Sequence, residues 1–257
     1  MSHPHDHFSS LAASYAAHRP QYPDALFSWL ATAVPRHDLA WEAGAGSGQA
    51  TLGLAGHFTH VVATDLSSEL IERAPSHPRI AYVVGLAEAS GLPDHSVDLV
   101  AVAQALHWFD FERFFSEVHR VLAPDGLFAA WSYGVLHLQG PDVNRVMQSF
   151  YRLTIAPFWP AERRHVENGY RSIPFPLAEV PVPPFQMTVR WPLPALLGYV
   201  RTWSAVAQYR REHQTDPVEL LEAELAPVWG DPQTLRTVSW PLSIRAGRLP
   251  TPGEHRE

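Results

Sequence analysis

Leu39–Gly48, LAWEAGAGSG, with VVATD following at Val61–Asp65, decides the reading of this chain. The first stretch reads as a short apolar strand that enters a turn with glycines at 44, 46 and 48. A helix follows, then a second strand that ends in a carboxylate. Glycines at alternate positions let a backbone approach a ligand where any Cβ would collide. A helix that starts at such a turn directs unpaired N–H groups into the same space. Asp65 lies nineteen residues after Gly46, close to the roughly 20-residue offset at which such folds set an acid against ribose hydroxyls. These features predict a pocket for an adenosine-containing cofactor.

The turn itself discriminates between cofactors. A dinucleotide fingerprint requires G-x-G-x-x-G/A, and Gln49 stands where its third glycine would be. A phosphate-binding P-loop requires a lysine, and the chain has none. The pattern present is E-x-G-x-G-x-G, with Glu42 two residues before Gly44. A carboxylate at Glu42 would repel a pyrophosphate, so a cationic ligand without phosphate suits it better.

WEAGAGSGQAT (41–51) resembles motif I of the class I S-adenosylmethionine (SAM) dependent methyltransferases. The resemblance continues in order through ATDLS at 63–67, GLAEASGLPDHSVDLV at 85–100, AVAQALHWFD at 101–110 and HRVLAPDGLFAAW at 119–131. FSSLAASYAAHRPQYPDAL (8–26) and YVRTWSAVAQYR (199–210) resemble the branch that includes trans-aconitate methyltransferase-like proteins. The resemblance implies a Rossmann-like, doubly wound α/β fold. Its seven-stranded, mostly parallel sheet would carry an antiparallel edge strand and helices on both faces, with an inserted region covering the acceptor. It implies SAM as cofactor.

Composition sets further bounds. A chain of 257 residues, 46% hydrophobic, can bury a full core. The formal net charge is −7 and no basic stripe is visible, which disfavours nucleic acid as a partner. Cysteine is absent, removing disulfides, thiolate metal sites and cysteine nucleophiles; the lack of lysine removes Schiff-base chemistry. No metal-ligand pairing is visible beyond His3, His5 and His7, which read as a floppy segment. The start carries no basic region or apolar run of a signal peptide, and no window nears the roughly 18 apolar residues of a membrane span. The expectation is a soluble cytoplasmic protein with a small-molecule acceptor. The oligomeric state is not readable.

Patterning together with the resemblance divides the chain into four parts, and the resemblance implies their roles: cap helices over 1–38, a cofactor-binding core over 39–133, an acceptor-covering insertion with helices over 134–231, and an edge strand with a frayed tail over 232–257. Helices are predicted at 8–17, 23–34 and 111–121, and strands at 39–43, 60–65, 80–84, 97–103 and 127–132. Alternation of this kind means a parallel sheet with helices on both faces, and ligands in such sheets bind beyond the carboxyl ends of the strands. Residues 134–190 read as loop-rich, 193–211 and 217–228 as two helices, and 237–249 as a strand or hairpin.

Site roles follow. Gly44, Ala45, Gly46 and Gly48 form the close-approach turn. Glu42 faces a ligand ammonium or organises the turn. Asp65 accepts from ribose hydroxyls, while Ser67 caps the next helix. The resemblance implies that Leu66 packs on adenine and that Ala87 and Glu88 meet its edge, the alternative for Glu88 being a solvated surface acid. Gln104, Ala105 and Leu106 end the fourth strand and line the methyl donor. His107 stands beyond that end as a base or orienting group. Tyr15 and Arg19 belong to a segment that, in relatives, folds over the cofactor. Tyr22, Trp108, Trp131, Tyr133, Tyr199, Trp203 and Tyr209 are candidate walls of an acceptor pocket, and Arg171 and Arg201 candidate partners of an acceptor carboxylate. The expected reaction is in-line methyl transfer to oxygen, in which alignment and exclusion of water are the main tasks. Two other classes fit the same half of the chain: a SAM-binding protein without turnover, and a nicotinamide oxidoreductase, which Glu42 and Gln49 oppose.

Overall fold

The computed structural model describes residues 20–250. The chain forms two compact units. Among the described residues, one comprises 22–133, 164–185 and 242–250, and the other 20–21, 134–163 and 186–241.

Helix α1 (Asp24–Thr32) follows Pro23, whose fixed φ suits a helix entry, and buries Leu26, Phe27, Leu30 and Ala31. Strand β1 (Leu39–Ala43) enters the glycine turn, and α2 (Gln49–Ala55) leaves it. Strand β2 (His60–Asp65) is followed by α3 (Ser68–Glu72), where Ser67 accepts the Leu70 N–H and caps the helix as its side-chain type predicts. Strands β3 (Ile80–Val84) and β4 (Val97–Ala103) come next. A 3-10 turn at Leu106–Trp108 leads to α4 (Phe111–Val121), capped by Asp110. Strand β5 spans Leu122–Tyr133. It starts five residues before the predicted strand because Leu122 pairs with Val97, while 123–126 bulge out before Leu127 pairs with Leu99.

After β5 come β6 (His137–Leu138) and α5 (Pro141–Ser149), which runs into a wide π turn at 150–154. Then follow α6 (Arg163–Glu167), β7 (Ala178–Glu179), β8 (Gln186–Trp191), α7 (Leu193–Arg201), α8 (Ser204–His213), α9 (Pro217–Trp229) and β9 (Arg236–Arg248).

In the first unit the strand order is β3-β2-β1-β4-β5-β9-β7. Strands β1 to β5 are parallel, and residues 242–247 of β9 run antiparallel to β5. Seven strands are therefore present, but β9 is no edge: at Gly247 and Arg248 it pairs with β7. Helix α4 covers one face, where Phe114 and Phe115 pack on Trp41 and Phe128. The same core takes in Val166, Tyr170, Ile173 and Leu177, so 164–185 packs with the sheet, although its prolines and aromatics read as part of the insertion. Helix α2 lies on the other face. At the amino ends, buried Asp98 accepts the Asp38 and Leu39 amides and pairs with Arg36, fixing β4 beside β1.

The other unit holds a three-stranded antiparallel sheet in which residues 236–241 of β9 pair with β6 and β8. Four points concern the sequence patterning, three of them corrections. Residues 134–190 contain a regular helix, α5, which Pro141 at its start and buried Val143 and Met147 support. The predicted helix 193–211 is two helices, because Trp203 is extended and Thr202 Oγ1 donates to Tyr199 O at 2.6 Å, closing α7. Residues 236–248 form one strand, the first of the two forms expected there, so that only its neighbours differ. Helix α9 reaches Trp229, with Pro227 accommodated in its last turn.

Candidate functional site

The turn after β1 is built from the end of β2. The Gly44 and Ala45 amides both donate to Thr64 O, at 2.8 and 3.0 Å. Gly46 N donates to Asp65 Oδ2 at 2.8 Å, and Ser67 N to Asp65 Oδ1 at 2.9 Å. Gly85 N donates to the Asp65 carbonyl. One residue thus gathers the loops after β1, β2 and β3.

All three glycines have left-handed φ, between 56° and 80°, yet their reasons differ. A Cβ on Gly44 would lie 2.4 Å from Ala105 Cβ, and one on Gly48 2.4 Å from Tyr82 Oη. A Cβ on Gly46 would meet nothing within 4 Å. The expectation that all three keep space for a ligand is corrected for 44 and 48, where the space is taken by the protein itself. Gly46 opens onto unfilled space beside the Asp65 carboxylate.

Glu42 is buried and accepts from Thr51 Oγ1 at 2.5 Å. Its acidity is shifted by burial first, which raises its pKa to about 8; the Thr51 bond opposes this and Asp65 adds to it. Glu42, Ala63 and Tyr82 form one row across β1, β2 and β3. The Tyr82 hydroxyl is pushed upward in pKa by burial and by Glu42. Glu42 therefore joins the underside of the turn to α2.

Leu66, 51% exposed, and exposed Leu86 follow the paired ends of β2 and β3, where exposed Val84 pairs with Asp65. Ala87 is buried. Glu88 Oε1 accepts the Asp110 N–H at 2.9 Å, tying the loop after β3 to the start of α4. Glu117 of α4 holds the same loop: it accepts from Ser90 N at 2.7 Å and Ser90 Oγ at 2.5 Å, and from Arg120. Arg120 chiefly, with help from Ser90, draws the Glu117 pKa down to about 2 against the opposing effect of burial.

Gln104, with φ 56°, ends β4 and donates from Nε2 to Tyr133 O at 3.0 Å. Ala105 abuts Gly44, and Leu106 is buried. His107 follows: its Nδ1 lies 3.1 Å from the Tyr170 hydroxyl, and its ring stacks obliquely on Trp108, which is 45% exposed. Trp131 is fully enclosed, and Tyr22 packs edge-on against it and against nearly buried Tyr133. These three are corrected from pocket walls to core. Arg171 is exposed in a polar cleft of about 460 Å³ with Glu179, Ser243 and Arg245.

Tyr199 and Trp203 lie in the other unit, in a cluster with Tyr151, Trp159, Trp191 and Trp240. Tyr199 is buried there. In that unit Tyr209 packs on Phe158 and His213. Arg201 pairs with Asp216 and Glu222, which removes it as a spare cation for an acceptor. Tyr15, Arg19, the predicted helix 8–17, His3, His5, His7 and the tail 251–257 lie outside the described residues.

Sequence reasoning passed over Thr51, Tyr82, Glu117 and Tyr170. Tyr82 is recoverable from strand register, since it falls in the row of Glu42. Tyr170 had no local signal.

The residues fit a nucleoside cofactor. An anchored carboxylate stands beside open space at Gly46, and an apolar shelf continues from it along the ends of β2 and β3. A model of the methyltransferase domain family matches residues 41–130. A protein of Dictyostelium discoideum that is assigned by name to the methyltransferases is 34% identical over 222 residues, covering 82% of this chain and 81% of that protein. An uncharacterized methyltransferase of Mycobacterium tuberculosis is 41% identical over 173 residues, 62% of this chain and 69% of the relative. The structure of a protein from Anaeromyxobacter dehalogenans that is assigned by name as a type II methyltransferase matches with a TM-score of 0.86 at 46% identity, over 91% of this chain and 99% of that one. Sheet order, glycine turn and sequence similarity over most of the chain agree: it belongs to the class I S-adenosylmethionine-dependent methyltransferases, and SAM is its cofactor.

Proposed function

We propose that the protein methylates an oxygen of a small molecule, a carboxylate or a hydroxyl. The observation that carries this is the position of His107, two residues beyond Ala105, which packs on the glycine turn. Bound SAM supplies a methyl group on a sulfonium, whose charge is discharged as the methyl leaves. The chain's part is to hold and align. Asp65 accepts from the ribose hydroxyls through lone pairs that its loop bonds leave over. The backbone at Gly46 lets the cofactor approach, and Leu66 covers one face of the adenine. His107 orients the acceptor oxygen. Such alignment can supply roughly 7–11 kcal/mol.

The net charge of −7 supports a small acceptor over a nucleic acid. Among the described residues no helix is long and apolar enough to cross a membrane; we place the enzyme in the cytoplasm, beside its cofactor. The test is incubation with SAM and a metabolite extract, reading by mass spectrometry for products heavier by one methylene. Wild type should form at least one such product, and Asp65→Ala should form clearly less of it when SAM is limiting. SAM binding with no product from any fraction would favour a binding protein without turnover and sink this reading.

A further inference from the structure

Tyr170 is fully buried and lies 63 positions from His107 in sequence, yet its hydroxyl is 3.1 Å from His107 Nδ1. Three observations show that this phenol is held in place rather than merely packed.

The first is backbone. Gly169 and Tyr170 are consecutive left-handed residues, with φ of 65° and 64°. A tyrosine in that region is uncommon and persists only when its surroundings over-determine it. The second is what surrounds it. Arg245 of β9 donates from Nη1 to both Tyr170 O, at 3.0 Å, and Ile173 O, at 2.9 Å. The same guanidinium pairs with Glu179 of β7 and sits 4.1 Å above the Phe175 ring. The third is closure of the turn: Tyr170 N donates to His165 O at 2.7 Å, and Ile173 N returns to Tyr170 O. Glu179, Arg245 and the turn at 169–173 thus form a bracket with the Tyr170 ring as its pin.

A phenol O–H is a stronger donor than an imidazole N–H, and a bare imidazole nitrogen a stronger acceptor than a phenol oxygen, so this bond is strongest with the tyrosine donating. We infer that Tyr170 is a positioning residue which donates to His107 Nδ1, so that neutral His107 carries its proton on Nε2. The inference rests on the reading of His107 as the acceptor-orienting group, and it deepens that reading. An imidazole with its proton on Nε2 cannot accept another there; it can only donate a hydrogen bond. The acceptor oxygen must then arrive already nucleophilic, as a carboxylate does. In the transfer, an oxygen lone pair forms the C–O bond while the C–S pair stays on sulfur. No proton is removed, and the product is a methyl ester.

The experiment uses the full chain labelled with ring-15N histidine. The His107 signals are assigned by their loss in His107→Gln, and the spectra are read with SAM bound at a pH where the ring is neutral. The expected wild-type spectrum shows Nε2 protonated and Nδ1 bare but hydrogen-bonded, and in Tyr170→Phe the Nδ1 signal moves to the position of an unbonded nitrogen. A proton on Nδ1 in the wild type overturns the inference, without need of any variant; so does a Tyr170→Phe spectrum that matches wild type.

Turnover is read on whichever methylated product the extract screen yields. His107→Gln, which can place an N–H near the Nε2 position, should keep kcat within about tenfold of wild type, whereas His107→Ala should fall below it by more than that. Tyr170→Phe should lower kcat by about tenfold, with KM for SAM unchanged. Equal loss in His107→Gln and His107→Ala overturns the donor role. Failure of the extract screen would sink the proposed transfer but leave the nitrogen spectra to decide the Tyr170–His107 pair.

Discussion

The Asp65 carboxylate accepts the amide of Gly46 across 2.8 Å, joining residues whose separation in sequence already suggested a shared site. The bond fixes the one glycine of the turn that faces open space, and it orients the acid that would meet the ribose. Asp65→Ala should weaken SAM binding by about 1.5–3 kcal/mol, roughly tenfold or more. Isothermal calorimetry with SAM and with its demethylated product checks this; unchanged affinity for both would remove Asp65 from the site.

The three glycines should separate by phenotype. Gly48→Ala combines a left-handed backbone, costing about 1–2 kcal/mol for a residue with a Cβ, with a clash against Tyr82 Oη. Adding Tyr82→Phe should recover part of that loss in thermal unfolding, with a coupling of about 0.5–3 kcal/mol. Gly46→Ala meets no neighbour, so it should lose only the backbone part in stability, while its methyl group intrudes on the cofactor and lowers SAM affinity more sharply. Equal effects at 46 and 48 would contradict this division.

Glu42 gives a pH signature. Its pKa is raised from 4.5 to about 8 in the fold, so between those values the folded state binds the proton and the unfolded state does not. The contribution of Glu42 to stability is therefore greatest at low pH and declines as pH rises from about 4.5 to about 8. Glu42→Gln should flatten this slope and be the more stable protein above pH 8, by a few kcal/mol on the order that such a shift implies. Denaturant unfolding across the range is the measurement, and parallel curves would refute it.

Glu117 has the opposite sign. Its pKa is drawn from 4.5 down to about 2. Its contribution is thus complete above about pH 4.5 and is lost as pH falls towards 2. Glu117→Ala should cost about 1–2 kcal/mol at neutral pH, after solvent screening of the part-exposed Arg120. It should also loosen the loop at 85–92. Faster amide exchange at Ser90 and Leu92, with weaker SAM binding, is the expected result; a protected loop would speak against the role.

Strands β1 to β4 could be read from sequence because each is a short apolar run bounded by turn residues; the inner β1 and β4 are buried almost throughout, as a parallel sheet requires, while β3 at the end of the sheet is part-exposed. The glycine turn and Asp65 were legible because their chemistry is local. What escaped depends on pairing between distant segments. Tyr82 comes under the electrostatic influence of Glu42 through lateral strand register. Tyr170 reaches His107 through a turn set by Arg245, which is remote from both in sequence. Leu122 joins β5 only because a bulge lets Val97 pair with it. The break at Thr202–Trp203 follows from a hydroxyl–carbonyl bond and an aromatic cluster that override helical periodicity.

The pairing of β5 with β9 bears on how small this enzyme can be made. Phe128–Tyr133 are matched to residues 242–247, far beyond the stretch 41–130 that carries the family signature. A fragment trimmed to that signature would leave β5 with a raw row of amides and carbonyls along an apolar strand, a template for intermolecular stacking. The recognisable stretch is accordingly not a minimal module: its solubility is underwritten by the far end of the polypeptide, and miniaturised versions will need a surrogate strand.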